Sequence, residues 1–350
     1  MTIATVNHTA ADMSQWTGRA EPFESARACY WYQLAQPYEQ QHIGLVGFDC
    51  DQGVRRNQGR VGARAAPPLI RSTFAKLPVI AELQKRFDAK LATLLGDAGD
   101  IHCQDNDGFA EQLLEQAQQQ YADIISNVLQ KGSLAIGLGG GHAMAYGSFL
   151  GLWQALQQAD NSDIGEKNTA DISTIPTIGI INFDAHLDIR QSDVATSGTP
   201  FRQIAEYLTE YQQPFYYCCI GVSRFSNTAA LFDRADELGV HVISDEDCYY
   251  QSWATLAAQI DHFINQVDVL YLTIDMDCFP SSMVPGVSAP AAYGIELSFV
   301  ERAVKTIMAS GKVKIADIAE INPTYDSDQR SCKVAARLLA IIIEQHLLII

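Results

Sequence analysis

The sequence predicts an α/β protein built on an eight-stranded, mainly parallel sheet. Short, continuous apolar runs recur along the chain, and most are separated by stretches with helical spacing of apolar residues. Continuous apolar runs are typical of parallel strands buried on both faces, and their alternation with helices is typical of successive βαβ units. The predicted strands lie near residues 43–48, 90–95, 133–138, 177–183, 215–221, 240–244, 269–275 and 313–320.

Helices are predicted where apolar residues recur at intervals of three and four. These stretches are 109–129, 143–156, 229–238, 253–264, 297–308 and 334–346. The first 40 residues contain Trp16 and Trp31 but no clear periodicity, which predicts an irregular extension packed on the domain. No later stretch has the composition of a linker, so residues 41–350 are expected to form a single domain.

The composition is that of an ordinary globular protein, with 47% hydrophobic and 19% charged residues. The formal net charge of -17 disfavours nucleic acids and anionic membranes as partners, because their phosphates would be repelled. The apolar segment 338–350 is shorter than the ~20 residues needed to cross a bilayer. We expect it to be a packed terminus or a subunit contact, and the protein to be a homo-oligomer.

The eight cysteines include no CxxC pair, which excludes a zinc ribbon. The polar segment 1–18 does not resemble a secretory leader. We therefore expect reduced, buried and chemically inert thiols in a cytoplasmic protein.

The strongest chemical signal is the alternation of Asp184, His186 and Asp188 directly after the apolar run 177–181. In an extended chain, residues two apart lie on one face. Two carboxylates and an imidazole on one face destabilise one another unless a cation lies between them. The spacing therefore predicts a divalent metal.

Two further clusters also follow predicted strands. Asp275 and Asp277 follow one strand, and the glycines at 139–141 lead from another into His142. A dinucleotide fingerprint is disfavoured, because His142 stands where a third small residue should pack helix on strand. Taken alone, such residues are more often helix caps or core residues. All three clusters end strands, where open parallel sheets bind their ligands, which favours one shared site.

The combined donor set has two imidazoles and four carboxylates, which suits a pair of divalent ions better than a structural zinc site. We expect manganese. Paired metal ions activate water for attack on an electrophilic carbon or phosphorus. The sequence thus predicts a hydrolase.

These residues resemble the ureohydrolase family, which contains arginase, agmatinase and formimidoylglutamase. The shared motifs are GGGH at 139–142, DAHLD at 184–188 and TIDMD at 273–277, the last followed by PGVSAP at 285–290. Segments 55–63, 197–201, 226–228 and 320–323 are most similar to the formimidoylglutamase branch. The resemblance implies a three-layer α/β/α domain, two manganese ions per subunit, and hydrolysis of N-formimidoyl-L-glutamate to L-glutamate and formamide in histidine degradation.

The resemblance also implies roles for individual residues. One ion would be held by His142, Asp184, Asp188 and Asp275, and the other by His186, Asp184, Asp275 and Asp277, so that Asp184 and Asp275 bridge. Asp188 would carry the proton to the leaving nitrogen. Glu320 would pair with the cationic formimidoyl group; without the resemblance it would be interpreted as a surface charge at a strand end.

Substrate recognition is predicted from arginines. In arginase the position of Arg190 carries a neutral amide, so a guanidinium here is suited to clamp a carboxylate of an acidic amidine substrate. The alternative is an ion pair with a metal ligand or with Asp193. Arg60 and Arg224 are weaker candidates for a second carboxylate, and Asn227 is a further candidate substrate-binding residue.

Some residues depart from the family pattern. Ser197 stands where agmatinase-like members carry a histidine, so that proton shuttle is not available here. Beside formimidoylglutamate hydrolysis, two other functions stay open. One is an agmatinase or guanidino-acid ureohydrolase that releases urea, and the other is a metal-binding relative without turnover.

Overall fold

A computed structural model describes residues 5–104, 112–162 and 175–350. Its centre is a ten-stranded sheet with the order β1-β4-β3-β5-β10-β9-β6-β7-β8, in which β2 also pairs with β4. Among the described strands, only the β1–β4 pair is antiparallel. The strands are β1 Thr5–Thr9, β2 Gln36–Pro37, β3 Ile43–Asp49, β4 Leu95–Gln104, β5 Leu134–Gly139, β6 Ile178–Phe183, β7 Tyr216–Val222, β8 His241–Ser244, β9 Val269–Asp275 and β10 Val313–Ala319.

The eight predicted strands correspond to β3 to β10, and the mainly parallel sheet is confirmed. The strand expected at 90–95 begins only at Leu95, because Asp88–Thr93 forms a 3-10 helix. The N-terminal extension is not wholly irregular, since β1 pairs with β4 along one edge. This edge strand is mostly exposed and polar, so it lacks the apolar run that revealed the central strands.

Helices cover both faces of the sheet and complete three layers. Helices α2, α9, α10 and α11 pack in one hydrophobic cluster, and α4, α5, α6 and α7 pack in the other. The helices are α1 Gln52–Arg56, α2 Ala66–Phe74, α3 Ala81–Phe87, α4 Leu113–Gln130, α5 Met144–Ser162, α6 Pro200–Glu210, α7 Ala229–Glu237, α8 Asp245–Tyr250, α9 Trp253–Asn265, α10 Leu297–Ala309 and α11 Arg330–Ile349.

The six predicted helices correspond to α4, α5, α7, α9, α10 and α11. The start predicted for α4, at 109–111, lies outside the described residues. The other described helices are short or begin at Pro200, and they lack a long periodic pattern. None of the helices in the described part of the chain combines the length and apolar character needed to span a bilayer. All eight cysteines are free thiols; six are buried, whereas Cys29 and Cys248 are half-buried, contrary to expectation.

A buried ion-pair network fastens α2 to β4. Arg71 of α2 donates to Asp100 Oδ1 at 2.5 Å and to Asp97 Oδ1 at 3.0 Å. The indole N–H of Trp16 donates to the other oxygen of Asp97 at 2.8 Å, which ties the N-terminal segment to the same network. The network thus holds three separate parts of the chain together on one side of the sheet.

Replacing Arg71 with leucine is expected to destabilise the fold by about 3–5 kcal/mol, because two buried carboxylates would lose their cation. The measurement is urea unfolding followed by circular dichroism. Replacing the exposed Arg27 with leucine is the matched control and should change the free energy of unfolding by less than about 0.5 kcal/mol. Equal stability of the two variants would contradict this role for Arg71.

Candidate metal centre

Four neighbouring strands at the centre of the sheet deliver the polar motifs. The order β5-β10-β9-β6 places these carboxyl ends side by side. His142 follows β5, Asp184 follows β6 and Asp275 ends β9. Residues more than a hundred positions apart in sequence therefore meet at one edge, as the motif positions predicted.

The first group surrounds the imidazole of His142. Its Nδ1 lies 3.0 Å from Asp188 Oδ2 and 3.2 Å from Oδ2 of both Asp184 and Asp275. One ligand atom from each of the four residues lies within 4.8 Å of the others, and all four residues are buried. Four converging donors at these distances suit a single cation.

The second group adjoins the first through Asp184. His186 Nδ1 lies 3.1 Å from Asp277 Oδ2 and 3.5 Å from Asp184 Oδ1. The two oxygens of Asp184 thus face different groups, which suits a bridging ligand. Asp275 belongs to the first group, and its Oδ1 accepts the backbone N–H of Asp277 at 2.8 Å. Bridging by Asp275 stays a prediction.

The DAHLD segment reaches the site as a loop and not as a continued strand. β6 ends at Phe183, and Asp188 adopts a left-handed backbone with φ of 49°. Asn227 holds the loop, since its Oδ1 accepts the Leu187 N–H at 3.0 Å and its Nδ2 donates to the Ala185 carbonyl at 2.9 Å. The alternation predicted that these side chains would meet, and the hydrogen bonds of Asn227 hold the loop on which they lie.

The electrostatics of the cluster favour bound cations. Burial and the charge of Asp184 raise the pKa of Asp188 to about 6. Burial and the charge of Asp277 raise the pKa of Asp275 well above its usual range. The buried Oδ1 of Asp277 has no hydrogen-bond partner among the described residues. Four carboxylates against two imidazoles leave excess negative charge in a buried site, and divalent cations would neutralise it.

Glu320 lies beside the first group, where it is buried with 2% exposure and has φ of 67°. Its Oε1 accepts the backbone N–H of His142 at 2.8 Å, and its Oε2 accepts the hydroxyl of Ser288 at 2.7 Å. Burial raises the pKa of Glu320 to about 7. The surface-charge interpretation of Glu320 is wrong, because the side chain is enclosed. No sequence pattern identifies Ser288 as its partner, although Ser288 lies in the PGVSAP segment.

Arg190 has an exposed side chain that rests against Gly198. Its backbone N–H donates to the Gly198 carbonyl at 2.8 Å, and a Cβ at Gly198 would lie 2.9 Å from Arg190 Cδ. No described carboxylate lies within 4.0 Å of its guanidinium, so the ion pair with Asp193 is not formed. The guanidinium is therefore free to meet a ligand.

The other candidate arginines have partners within the protein. Arg60 donates to the carbonyls of Val287 and Ser288, and its guanidinium lies 4.0 Å from the ring centroid of Tyr325. Arg224 pairs with Glu246 at 3.1 Å in an exposed position. Unlike Arg190, both arginines therefore use their guanidinium groups in contacts within the protein.

The fold and the donor set together define a three-layer α/β/α protein with a centre for divalent cations. The model of the arginase family matches residues 41–343. The chain belongs to the arginase family, which confirms the family that the three motifs indicated.

The relatives and solved structures most similar to this chain include formimidoylglutamases. The chain is 74% identical to the formimidoylglutamase of Psychrobacter cryohalolentis over 98% of its length and 99% of that protein. It is 42% identical to the Aeromonas salmonicida formimidoylglutamase, covering 93% of this chain and 96% of that one. A Trypanosoma cruzi formiminoglutamase variant crystallised with Mn²⁺ superposes with a TM-score of 0.71 at 26% identity, covering 89% of this chain and 95% of that one. The Bacillus subtilis formimidoylglutamase, at 21% identity, shares the fold with a TM-score of 0.74 over 94% of this chain and 95% of that one.

Proposed function

We propose that this chain is a manganese-dependent amidine hydrolase that converts N-formimidoyl-L-glutamate and water to L-glutamate and formamide, a step of histidine degradation. The observation that carries this proposal is the cluster of four buried aspartates, the buried His142 and the half-buried His186 at the carboxyl edge of the sheet. The relative at 74% identity over nearly the whole chain is a formimidoylglutamase, which supports the substrate. The Trypanosoma cruzi formiminoglutamase variant was crystallised with Mn²⁺, which supports the metal.

We propose two ions per subunit, one for each group of ligands. His142, Asp184, Asp188 and Asp275 would hold one ion, and His186, Asp184, Asp275 and Asp277 the other. When bound, the pair would supply a water molecule whose pKa is lowered toward neutrality.

Two carboxylates of the chain would serve the reaction directly. Glu320 would pair with the cationic formimidoyl group and hold its carbon in place for attack by water. Asp188 would accept a proton from that water and pass it to the amino nitrogen of glutamate as the C–N bond breaks.

The proposed substrate assignment is tested by comparing products. Purified protein with manganese should release glutamate from N-formimidoyl-L-glutamate much faster than it releases urea from agmatine or arginine. Faster release of urea would overturn the assignment in favour of a guanidino-compound hydrolase. Binding of manganese without turnover of any of the three compounds would favour a non-catalytic relative.

Replacing Arg190 with alanine is expected to lower kcat/KM for the acidic substrate by about 10- to 100-fold, the value of one charge-assisted contact of about 1.5–3 kcal/mol. The loss should fall mainly on KM, because the substrate carboxylate stays bound throughout the reaction. Steady-state kinetics of glutamate release measure it. Arg27→Ala is the matched control and should leave kcat/KM unchanged. Arg27 is an exposed arginine that lies close to α3. An unchanged KM in Arg190→Ala would rule out the clamp.

We further propose that the protein is a cytoplasmic homo-oligomer. Eight free thiols suit a reducing compartment. Ile349 and Ile350 are exposed apolar residues at the end of α11, where a neighbouring subunit would cover them. Light scattering coupled to size-exclusion chromatography tests the oligomer; a monomer at micromolar concentration would contradict it.

A further inference from the structure

A buried carboxylate lies behind the metal centre, one strand away from the ligands. Asp317 is in β10 and is fully buried. Its Oδ2 accepts hydroxyl hydrogens from Ser148 and from Tyr271, each at 2.6 Å. Its buried Oδ1 has no hydrogen-bond partner among the described residues. An unpaired carboxylate oxygen is costly to bury, so a donor that can turn toward Oδ1 stabilises this arrangement.

Thr273 is placed to supply that donor. It lies directly opposite Asp317 in the register of β9 and β10, and it is fully buried. Residues paired across neighbouring parallel strands present their side chains on the same face. The hydroxyl of Thr273 lies within interaction range of the Asp317 carboxyl group, and a hydroxyl hydrogen rotates freely to suit its acceptor.

The same hydroxyl meets the metal-ligand histidine. His142 Nε2 lies 3.0 Å from Thr273 Oγ1, whereas its Nδ1 faces the three aspartates of the first group. If Nδ1 offers its lone pair to a cation, Nε2 carries the hydrogen and donates it to Thr273. The threonine hydroxyl keeps its own hydrogen to donate, and the Asp317 carboxyl group is an acidic acceptor within its range.

We propose that Asp317 acts through Thr273 as a positioning pair that holds His142 in the tautomer with Nε2 protonated and Nδ1 directed to the metal. Neither residue belongs to the groups of candidate metal ligands. A ligand histidine held by an outer hydrogen bond keeps its ring orientation and loses less freedom on binding metal. The proposal rests on the metal centre of the proposed function. Manganese binding to the wild type without turnover would overturn the proposed function alone, whereas equal Mn²⁺ affinity in the wild type and in the variants below would overturn this proposal alone.

The first test compares Thr273→Val with Thr273→Ser in the full-length protein freed of metal. Valine preserves shape but removes the hydroxyl, so Mn²⁺ affinity at one site should fall by about 10- to 100-fold, as for other outer partners of metal ligands. Serine keeps the hydroxyl and should stay within about threefold of the wild type, because it preserves that hydrogen bond. Calorimetric titration with Mn²⁺ measures both. If the valine variant binds Mn²⁺ as tightly as the wild type, the hydroxyl does not position His142.

The second test is a double-mutant cycle with Asp317→Asn. An asparagine can keep its oxygen for Ser148 and Tyr271 while its NH₂ faces Thr273, which reverses the polarity of the link. This change should weaken Mn²⁺ binding in the wild-type background and have no further effect in the Thr273→Val background. Additive losses in the cycle would show that Asp317 acts by packing and not through Thr273, which would overturn the proposal.

Discussion

Replacing Asp184 with asparagine is expected to remove bound manganese and abolish turnover. Asp184 Oδ2 belongs to the group around His142 and its Oδ1 to the group around His186, so this single change damages both. An amide has one oxygen and cannot offer both groups an anionic ligand. Because loss of an outer partner already costs about 10- to 100-fold, loss of a shared ligand should cost more than about 100-fold in metal affinity and activity.

The measurements are elemental analysis after manganese loading and kcat/KM for glutamate release. Asp193→Asn is the matched control, because Asp193 is exposed and lies five residues after Asp188, the last aspartate of the DAHLD segment. The control should keep wild-type metal content and activity. Retention of two manganese ions by Asp184→Asn, with activity close to that of the wild type, would exclude a shared ligand at this position.

The parts of the fold that the sequence predicts are those with a repeating physical constraint. Strands buried on both faces need continuous apolar runs, and surface helices need an apolar stripe, so both appear as periodic patterns. The sequence pattern does not predict β1, because an exposed edge strand needs no continuous apolar run. The strand expected at 90–95 is misplaced since the apolar residues there, such as Leu91, serve a 3-10 helix that packs against the core.

The candidate site likewise has parts that the sequence predicts and parts that it does not. The meeting of its candidate ligands is predictable because strand ends in a parallel sheet meet at one edge. The contacts that orient these side chains are not predictable, because they are hydrogen bonds between side chains and the loop backbone. Asn227 is a predicted substrate-binding residue, yet its amide is occupied by the Ala185 and Leu187 backbone, which favours a positioning role. Nothing in the spacing of residues encodes such a bond.

Arg60 illustrates the same limit for charged groups. Its sequence position near the site makes it a candidate for a substrate carboxylate, but its donors point to backbone carbonyls of the PGVSAP segment. The segment also supplies Ser288 to Glu320, so Arg60 and Glu320 are linked through one loop. The conformation of this loop therefore affects the position of Glu320 relative to the candidate metal ligands.

Replacing Glu320 with glutamine is expected to lower kcat/KM for the cationic amidine by at least about 100-fold, because removing one partner of a buried charge pair costs about 3–5 kcal/mol. The variant should fold normally. The amide oxygen can accept the His142 N–H as Oε1 does now, and its NH₂ can donate to the Ser288 oxygen, which accepts as well as donates. The change thus removes charge while keeping both internal contacts.

The measurement compares Glu320→Gln with the wild type in glutamate release and in inhibition by the neutral N-formyl analogue of the substrate. Loss of the negative charge should weaken use of the cationic substrate far more than binding of the neutral analogue, because only the former needs a counter-charge. Manganese content serves as the control, since Glu320 is not among the six proposed ligands. Equal losses for the cationic and neutral compounds, with metal content unchanged, would mean that Glu320 supports the loop at Ser288 and does not recognise the amidine.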